Sequence, residues 1–557
     1  MIPLAVVALM FAACMGAGAA VLNLLGTLRD LDPGERAPWS FTVGMGAIGW
    51  IVFFPAAAGV LDVSGLLASG IVASAGLILL RGEATTTRNR HEAPNAIGRT
   101  LLAAIVVVLF FDMLEGMSPP ADADTLSYHF ALPKQFLEAG RLEFVPRAGT
   151  GAAPLLLQMT YMLALALGGE LALTLWTMAS SWMAAALLFS VCRRHLDLNW
   201  SLAMALLFLT TPAVLYGGGS GQVEARLVLF ALAAAVAAQQ TITTGRWGWG
   251  VLAGLLVGFY AGAKFMGLLF AAATGIALLL GRGWFRRGAV FGLVVLVAGF
   301  QWYSWNWMHT GDPTFPVLFK ILNLPDSTIW NRAHDAIYRQ IYFGAESPLP
   351  TNLFWYLAYP FAATLGYEPG LEASRTGLGP YGLLVFPFAL AGAWRFRSQL
   401  VSSPLRTPAL IVFLFYTFWF FSGTSQRIRH LLPVYPLLLL CIVVAATRWT
   451  DRRSLRRPLV VATGIAILVQ LGGQGVFALN YARHVFSGES REAFLRRNVA
   501  NFDVALWINQ HLTSSDRVMI TETQLIYPLK VPNYFAHSAA QVVVDLTART
   551  SNSARFV

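Results

Sequence analysis

The sequence has little charge and little cysteine for its length. Only 12% of its 557 residues are charged, whereas 56% are hydrophobic, and the mean hydropathy is +0.60. A soluble domain cannot bury that much apolar surface, so the composition excludes a soluble enzyme and indicates a polytopic membrane protein. The three cysteines, Cys14, Cys192 and Cys441, lie in or beside apolar runs. They show neither a disulfide framework nor the spacing of a zinc site.

Acidic residues are fewer than basic ones, and the formal charge is +11. This excess does not require a nucleic-acid partner, because arginine and lysine cluster in short loops between apolar runs, as the positive-inside rule expects of cytoplasmic loops. The first apolar run, 1–26, lacks a basic segment at its start, so we expect a retained helix rather than a signal peptide.

Apolar runs long enough to cross a bilayer recur along the chain, and we expect about 13 to 15 spans of roughly 20 residues each. The candidates are 1–26, 41–61, 64–80, 100–117, one or two within 152–192, 199–215, 226–241, 248–262, 265–280, 288–306, 379–394, 408–422, 431–446 and 458–478.

The basic clusters predict the orientation of these spans. They are Arg81 to Arg99, Arg193 with Arg194, Arg246, Arg282 to Arg287, Arg395 with Arg397, and Arg452 to Arg457. All of them share the cytoplasmic side only if one net crossing occurs between 150 and 192, so one run there is interfacial or half-spanning. This parity places 118–150, 216–225, 307–378, 423–430 and the tail from 479 outside.

These patterns predict an all-α polytopic membrane protein with external interfacial helices and a small α/β piece at its end. Segments 1–99, 100–478 and 479–557 form its three parts. The long external loop 307–378 contains TNLFWYLAYPFAATLG, which we interpret as an interfacial helix. In the tail, FDVALWINQHL has helical spacing, and RVMIT and QVVVDLT are typical of strands.

The first external loop is the most polar stretch between two apolar runs. Leu126, Phe130, Pro133, Phe136 and Leu137 fall on one helical face, and Ser127 and Lys134 lie off it. This spacing predicts a helix lying in the interface and broken before Pro133, which suits the first turn of a second helix. Asp124 stands at the N-cap position, so it either caps this helix, carries chemistry, or does both.

Two further charged residues lie at the mouths of spans. Glu224 is a second external carboxylate, and the alternative to a functional role is an ion pair with Arg226 or a solvated helix end. Lys264 interrupts the apolar stretch GFYAGAKFMGLLF. It either snorkels to the interface or faces a phosphate.

Other polar groups outside the membrane have similarly open roles. Arg427, Arg429 and His430 form an outward basic cluster that binds either a substrate or lipid head groups. Tyr303, Asn306 and Asp312 follow in QWYSWNWMHTGDPTFP, where aromatic-belt anchoring is the alternative. His129 alone is more often structural. Asp112 and Glu115, near the outer end of one span, either anchor it or face a polar cavity.

Outward carboxylates and cations in apolar surroundings suit transfer of a sugar from a lipid phosphate. A carboxylate takes the proton of the acceptor, and cations neutralise the charge that grows on the departing phosphate. A divalent ion such as Mg²⁺ or Mn²⁺, held by Asp122 and Glu224, is a further candidate for that second role.

The order of the polar motifs resembles that of a known superfamily. The matching pieces are ADADTLSYHFALPKQFLEAGRL, PLLLQMTYMLALALGG, SGQVEARLVLF, GFYAGAKFMGLLF, WYSWNWMHTGDPTFP and QRIRHLLPVYP. Over residues 100 to 446 the chain resembles the GT-C superfamily of membrane glycosyltransferases, in particular the bacterial branch akin to protein O-mannosyltransferases and the lipid A aminoarabinose transferase. Segment 1–99 is additional to the usual core.

The resemblance implies roles for individual residues. It implies a catalytic role for Asp124, with Asp122 as its neighbour and Glu224 at a position that is often aspartate. It implies that Lys264 and Arg429 bind the donor phosphate. Further implied substrate contacts are Tyr128, His129, Tyr303, Asn306 and His430.

The resemblance also implies a reaction and a cellular location for the protein. The donor would be a sugar on polyprenyl phosphate, transferred with inversion to a lipid, glycan or protein acceptor. The enzyme would be a multi-pass protein among the lipids of a bacterial inner membrane, with its active site facing the periplasm. Two alternatives stay open: a transporter or flippase of lipid-linked glycans, and a non-catalytic glycolipid-binding protein. A transporter would place charges at mid-membrane within inverted repeats, and neither is evident.

Overall fold

The computed structural model describes residues 1–82, 92–280, 283–400, 402–423, 425–449 and 453–537. Within them, eight helices are long and apolar enough to cross a membrane: Ile2–Leu24, Pro33–Ala57, Val63–Arg81, Ala96–Gly116, Leu156–Cys192, Glu224–Thr244, Trp284–Thr310 and Arg456–Ser487. Shorter apolar helices accompany them: Leu198–Leu209, Trp247–Ala263, Met266–Leu279, Leu353–Leu365, Arg406–Phe421 and Tyr435–Arg448. Pro369–Thr376 and Tyr381–Arg395 form a bent pair with an angle of 92°. The predicted all-α polytopic fold is confirmed.

Short helical segments connect these elements. They are Leu28–Asp30, Thr125–His129, Ala131–Ala139, Pro212–Gly217, Arg332–Tyr338, Arg339–Gly344, Arg397–Leu400, Ile428–Leu431, Arg491–Asn498, Phe502–His511 and Thr523–Leu525. The predicted interfacial helix at 351–366 is present as Leu353–Leu365.

The helix Leu156–Cys192 is in fact a hairpin of two segments. Gly169 has φ 73° and ψ −169°, which breaks the helix. Trp176 Nε1 donates to Thr160 Oγ1 at 3.0 Å, although 16 residues of straight helix would separate them by about 24 Å. The segment 156–168 therefore rises only about 20 Å, less than the roughly 30 Å of a bilayer core. The short element expected between 150 and 192 is present.

Several predicted spans have different bounds in the structure, and 41–61, for example, is the helix Pro33–Ala57. The run 199–215 is divided, because the helix that begins at Leu198 ends at Leu209 and Pro212 starts a new one, Pro212–Gly217. The run 458–478 continues to Ser487, because nothing in 479–487 stops a helix until Gly488, whose φ is +69°.

The N-terminal helices pack tightly on each other and on the core. A Cβ at Gly44 would lie 1.8 Å from the carbonyl oxygen of Cys14, so glycine is required where the first two helices cross. The second helix also reaches the core, because Gln301 Nε2 donates to the carbonyl of Trp50 at 2.8 Å. Segment 1–99 is therefore integrated with the core in its described part.

Ion pairs join the described loops in two groups. The predicted cytoplasmic loops are joined by the ion pairs Arg193–Glu92, Arg194–Glu35 and Arg246–Asp30. The predicted external loops are joined by Arg429–Asp124 and Arg427–Glu346, and Arg491 of the tail pairs with Glu170. The membrane topology, including the side that each of these loops faces, stays a prediction.

The described part of the tail combines helices and strands. Val518–Ile520 pairs in parallel with Asn533–Phe535, which confirms the strand predicted in RVMIT; QVVVDLT, residues 541–547, lies outside the described residues. The Tyr527 N–H donates to the carbonyl of Leu126 at 3.0 Å, and Lys134 Nζ donates to the carbonyl of Tyr527 at 2.9 Å. The tail thus rests on the first external loop.

Candidate active site

The helical turn that carries the two aspartates is capped by Asp122. Asp122 Oδ2 accepts from the Thr125 N–H at 2.9 Å and from Thr125 Oγ1 at 2.8 Å. Asp124 makes no capping hydrogen bond and has helical dihedrals itself. The prediction that Asp124 caps the helix is therefore wrong, because the helix begins two residues earlier. As a result, the Asp124 carboxylate is available for other partners.

The turn continues as a widened helical segment, Thr125–His129. The Phe130 N–H bonds to the carbonyl of Thr125 at 2.9 Å, five residues back. Leu126, Phe130 and Phe136 are buried as the predicted apolar face requires. Ser127, which the pattern placed off that face, is also buried, because the extra residue in the turn rotates it inward. The next helix is Ala131–Ala139, with Pro133 in its first turn as predicted.

Asp124 forms an ion pair with Arg429. Arg429 Nη1 donates to Asp124 Oδ2 at 2.6 Å, across 305 positions of sequence. Burial raises the pKa of Asp124, but the Arg429 guanidinium lowers that pKa below its usual value on balance. Burial and the Asp124 charge instead raise the pKa of Asp122. The two aspartates therefore differ in acidity, and Asp124 is the one held ionised.

Glu224 forms a second ion pair, with Lys264. Lys264 lies at the break between the helices Trp247–Ala263 and Met266–Leu279, in an extended conformation, and its ammonium group donates to Glu224 Oε1. The proposed alternatives, a Glu224–Arg226 pair and a snorkelling Lys264, are therefore wrong. Residues two apart on a helix face different directions, and Arg226 faces backbone carbonyls instead.

His430 connects the two ion pairs. It follows Arg429 directly, and its Nδ1 lies 3.9 Å from Glu224 Oε1, while its Nε2 lies 3.1 Å from Ser425 Oγ. Burial and the neighbouring cations lower the pKa of His430 well below its usual value, so the imidazole is neutral. We call Asp124, Glu224, Lys264, Arg429 and His430 the ion cluster; all five were predicted from the sequence as site residues, and the structure brings them together.

The remaining predicted contacts lie beside the ion cluster or support it. Tyr128 and His129 pack with ring centroids 3.9 Å apart. His129 Nδ1 bonds Gln158 Nε2 at 2.6 Å, and burial lowers the pKa of His129 to about 3, so it is neutral. The Tyr303 hydroxyl donates to the carbonyl of Ala261 at 2.8 Å.

Asn306 is further removed from the ion cluster. Its Nδ2 donates to the carbonyl of Ala152 at 2.8 Å. Like Tyr303, it bonds a backbone carbonyl in the structure. Their predicted contact with a substrate stays a prediction.

Asp122 and Glu224 do not form a metal-binding set with their neighbours. The described residues contain no group of three or more His, Cys, Asp and Glu side chains that fits a metal ion. Asp122 accepts from Thr125 and Gln222, whereas Glu224 binds a lysine. A cation already neutralises Glu224, and a Mg²⁺ or Mn²⁺ ion held by Asp122 and Glu224 stays a prediction.

The sequence analysis missed several residues in the long external loop. Glu372 Oε2 lies 3.6 Å from Arg429 Nε, and Arg375 Nη2 lies 3.9 Å from Asp122 Oδ1. Both belong to GYEPGLEASRTG, a polar run in an apolar chain. That polarity was the available signal, but nothing local connects it with residues about 250 positions earlier.

Comparison with known proteins gives a match in structure only. No protein-family model and no curated protein matches the sequence. The structure is similar to ArnT from Cupriavidus metallidurans bound to undecaprenyl phosphate, with a TM-score of 0.50, 15% identity, and coverage of 80% of this chain and 87% of that one. The apo state of ArnT gives a TM-score of 0.48 at 15% identity over 79% of this chain and 86% of that one. The chain therefore has the all-helical membrane fold of ArnT, as the resemblance to GT-C glycosyltransferases predicted.

Proposed function

We propose that the protein is a glycosyltransferase that moves a sugar from polyprenyl phosphate to an acceptor hydroxyl at the outer face of a bacterial inner membrane. The observation that carries this proposal is the ion cluster, where the buried Glu224 and the half-buried Asp124 meet two cations. The fold in which the ion cluster lies also supports the proposal, because ArnT, which has the same fold, was solved bound to undecaprenyl phosphate.

In the proposed reaction Asp124 is the general base. The acceptor hydroxyl gives its proton to the Asp124 carboxylate while its oxygen bonds to the anomeric carbon of the donor sugar. The bond from that carbon to the phosphate oxygen breaks, and the electron pair stays on the phosphate. Because the acceptor attacks from the face opposite the phosphate, the sugar configuration inverts.

Lys264 and Arg429 bind the polyprenyl phosphate in this scheme. They are the cations of the ion cluster, and buried cations stabilise the charge that grows on a departing phosphate. In the structure each is held by a carboxylate, Glu224 and Asp124 respectively. The donor phosphate therefore competes with Asp124 for Arg429. When the phosphate binds, Asp124 loses its strongest counter-charge and becomes a better base.

Binding of undecaprenyl phosphate to purified full-length protein in nanodiscs tests the phosphate site. We expect Arg429→Gln and the double variant Lys264→Met with Glu224→Gln to weaken binding by about tenfold or more, since a hydrogen bond to a charged group contributes roughly 1.5–3 kcal/mol. The double variant avoids a buried unpaired charge, which would otherwise destabilise the fold.

Two controls make the result specific. Lys320→Met removes an exposed external lysine outside the ion cluster and is expected to bind like the wild type. Asp124→Asn is expected to bind at least as well as the wild type, because it removes the carboxylate that competes for Arg429. Unchanged binding in both cluster variants would contradict the assignment of Lys264 and Arg429.

A further inference from the structure

A polar cavity lies beside the helical turn that carries Asp122 and Asp124. It has a volume of about 220 Å³ and is lined by residues that include Glu115, Asp122, Tyr216, Arg375, Asn480 and Tyr481. Sites for drug-sized ligands measure roughly 300–1,000 Å³, so this cavity suits a single small ring. We call it the polar pocket.

Two carboxylates in the polar pocket have hydrogen-bonding capacity to spare. Among the described residues, Glu115 receives one long hydrogen bond, from the Tyr481 hydroxyl at 3.4 Å. Asp122 Oδ1 receives one from Gln222 Nε2 at 3.2 Å. A carboxyl group has acceptor sites to spare in either protonation state, so both groups have room for hydroxyl donors of a ligand.

The charges of the polar pocket disfavour ionic ligands. Glu115 and Asp122 offer a phosphate no counter-charge, whereas the ion cluster supplies two cations. Arg375 Nη2 lies 3.9 Å from Asp122 and also lies over the Tyr216 ring at 4.1 Å. This guanidinium repels a metal cation and places a hydrogen-bond donor beside the acceptor Asp122. A neutral ring with several hydroxyls matches such a lining.

The polar pocket and the ion cluster share one turn of the chain. Asp122 faces the polar pocket, and Asp124, two residues later, faces Arg429. Thr125 couples the sides, because its hydroxyl donates to Asp122 and also accepts from the Gly221 N–H at 2.8 Å. A ring in the polar pocket therefore lies beside the carboxylate that acts as base in the proposed function.

We propose that the polar pocket binds an uncharged sugar ring, with Glu115 as its main hydrogen-bond acceptor and Arg375 as a donor. This inference rests on the proposed function for its biological meaning, while its chemistry stands on the lining of the pocket. The ring belongs either to the donor or to a saccharide acceptor. In both cases Glu115 determines sugar specificity.

Saturation-transfer NMR with a panel of neutral free pentoses and hexoses tests the inference on purified full-length protein. We expect at least one sugar to bind the wild type and to bind Glu115→Gln about tenfold more weakly. Arg375→Met is expected to weaken binding of the same sugar. The Arg375 side chain is 58% exposed, so Arg375→Met is expected to fold. It therefore still tests the inference if the variant of the half-buried Glu115 does not fold.

A matched control lies one helical turn before Glu115. Asp112 accepts from Trp182 and Gln474 rather than lining the polar pocket, so Asp112→Asn in folded protein is expected to leave sugar binding unchanged. The inference is overturned if no sugar of the panel binds the wild type, or if neither pocket variant weakens binding.

Lipid binding identifies the source of the ring. If it belongs to the donor, the pocket variants weaken binding of sugar-loaded polyprenyl phosphate but not of undecaprenyl phosphate. If it belongs to the acceptor, both lipids bind normally and the KM for the acceptor rises. Asp124→Asn separates this inference from the proposed function, because sugar binding survives in that variant whether or not transfer occurs.

Discussion

At the residue scale, the proposed base Asp124 forms an ion pair with Arg429, and we expect this pair to set the response of the proposed reaction to pH. A general base must be deprotonated, so activity falls as the pH drops through its pKa. The Arg429 guanidinium lowers the pKa of Asp124, and its removal therefore raises that pKa. We predict that Arg429→Gln moves the acid limb of the pH profile to higher pH, besides lowering the rate.

The profile can be measured as loss of endogenous lipid-linked sugar in membrane vesicles, from about pH 4 to about pH 9. Arg427→Gln is the matched control. Arg427 is a neighbouring arginine that pairs with Glu346 and Glu372 rather than with Asp124, so its loss should leave the acid limb in place. An acid limb that does not move in Arg429→Gln would mean that Asp124 is not the titrating base.

Individual partners were harder to predict than individual residues. The sequence indicated that Asp122, Asp124, Glu224, Lys264 and Arg429 matter, because charges are rare in an apolar chain. It did not indicate which carboxylate caps the helix, since Asp122 and Asp124 lie within one turn of each other. It also suggested a local partner for Glu224, whereas the actual partner is 40 positions away.

At the element scale, Arg226 fixes the glycine-rich loop between two helices. It is fully buried, and its guanidinium donates to the carbonyls of Thr177, Gly218 and Ser220 at 2.6, 2.7 and 3.0 Å. This loop in turn supplies the Gly221 N–H that bonds Thr125. Arg226 therefore acts through the loop on the turn that carries the aspartates.

Replacing Arg226 should destabilise the fold. Arg226→Met leaves several buried carbonyls without donors, and we predict a loss of unfolding free energy on the order of 3 kcal/mol. Arg226→Lys should lose less, because an ammonium group keeps three donors. The measurement is thermal unfolding in detergent. Arg491→Met, which breaks the more exposed ion pair with Glu170, serves as control with a cost of about 1 kcal/mol or less. Equal Tm values for Arg226→Met and Arg491→Met would contradict this account.

The elements themselves could largely be predicted from apolar periodicity, and the two runs on either side of Lys264 were already separate in the sequence pattern. The exact turn at Gly169 depends on tertiary packing, which a hydropathy pattern does not contain. The bent pair around Gly377 likewise brings Glu372 and Arg375 to the site from a loop that looked interfacial. An apolar pattern predicts which segments are helical, but not which polar loop residues meet.

At the scale of the whole molecule, the helices hold together polar residues from loops far apart in sequence. Arg429 reaches Asp124 across 305 positions, and the tail rests on the first external loop through Tyr527. The proposed chemistry depends on this assembly at one end of the bundle. It also requires that this end face the outside, where the lipid-linked donor and the acceptor meet.

The most direct test compares cells that carry the wild type, Asp124→Asn or no protein, with both proteins inserted at equal levels. Lipid-linked sugars and envelope glycans are measured in each. We predict that Asp124→Asn lowers transfer roughly 100- to 10,000-fold, so that sugar-loaded carrier accumulates at the outer face and a glycan modification is lost, as in cells without the protein. Normal glycans and normal carrier levels in Asp124→Asn cells would contradict the central claim.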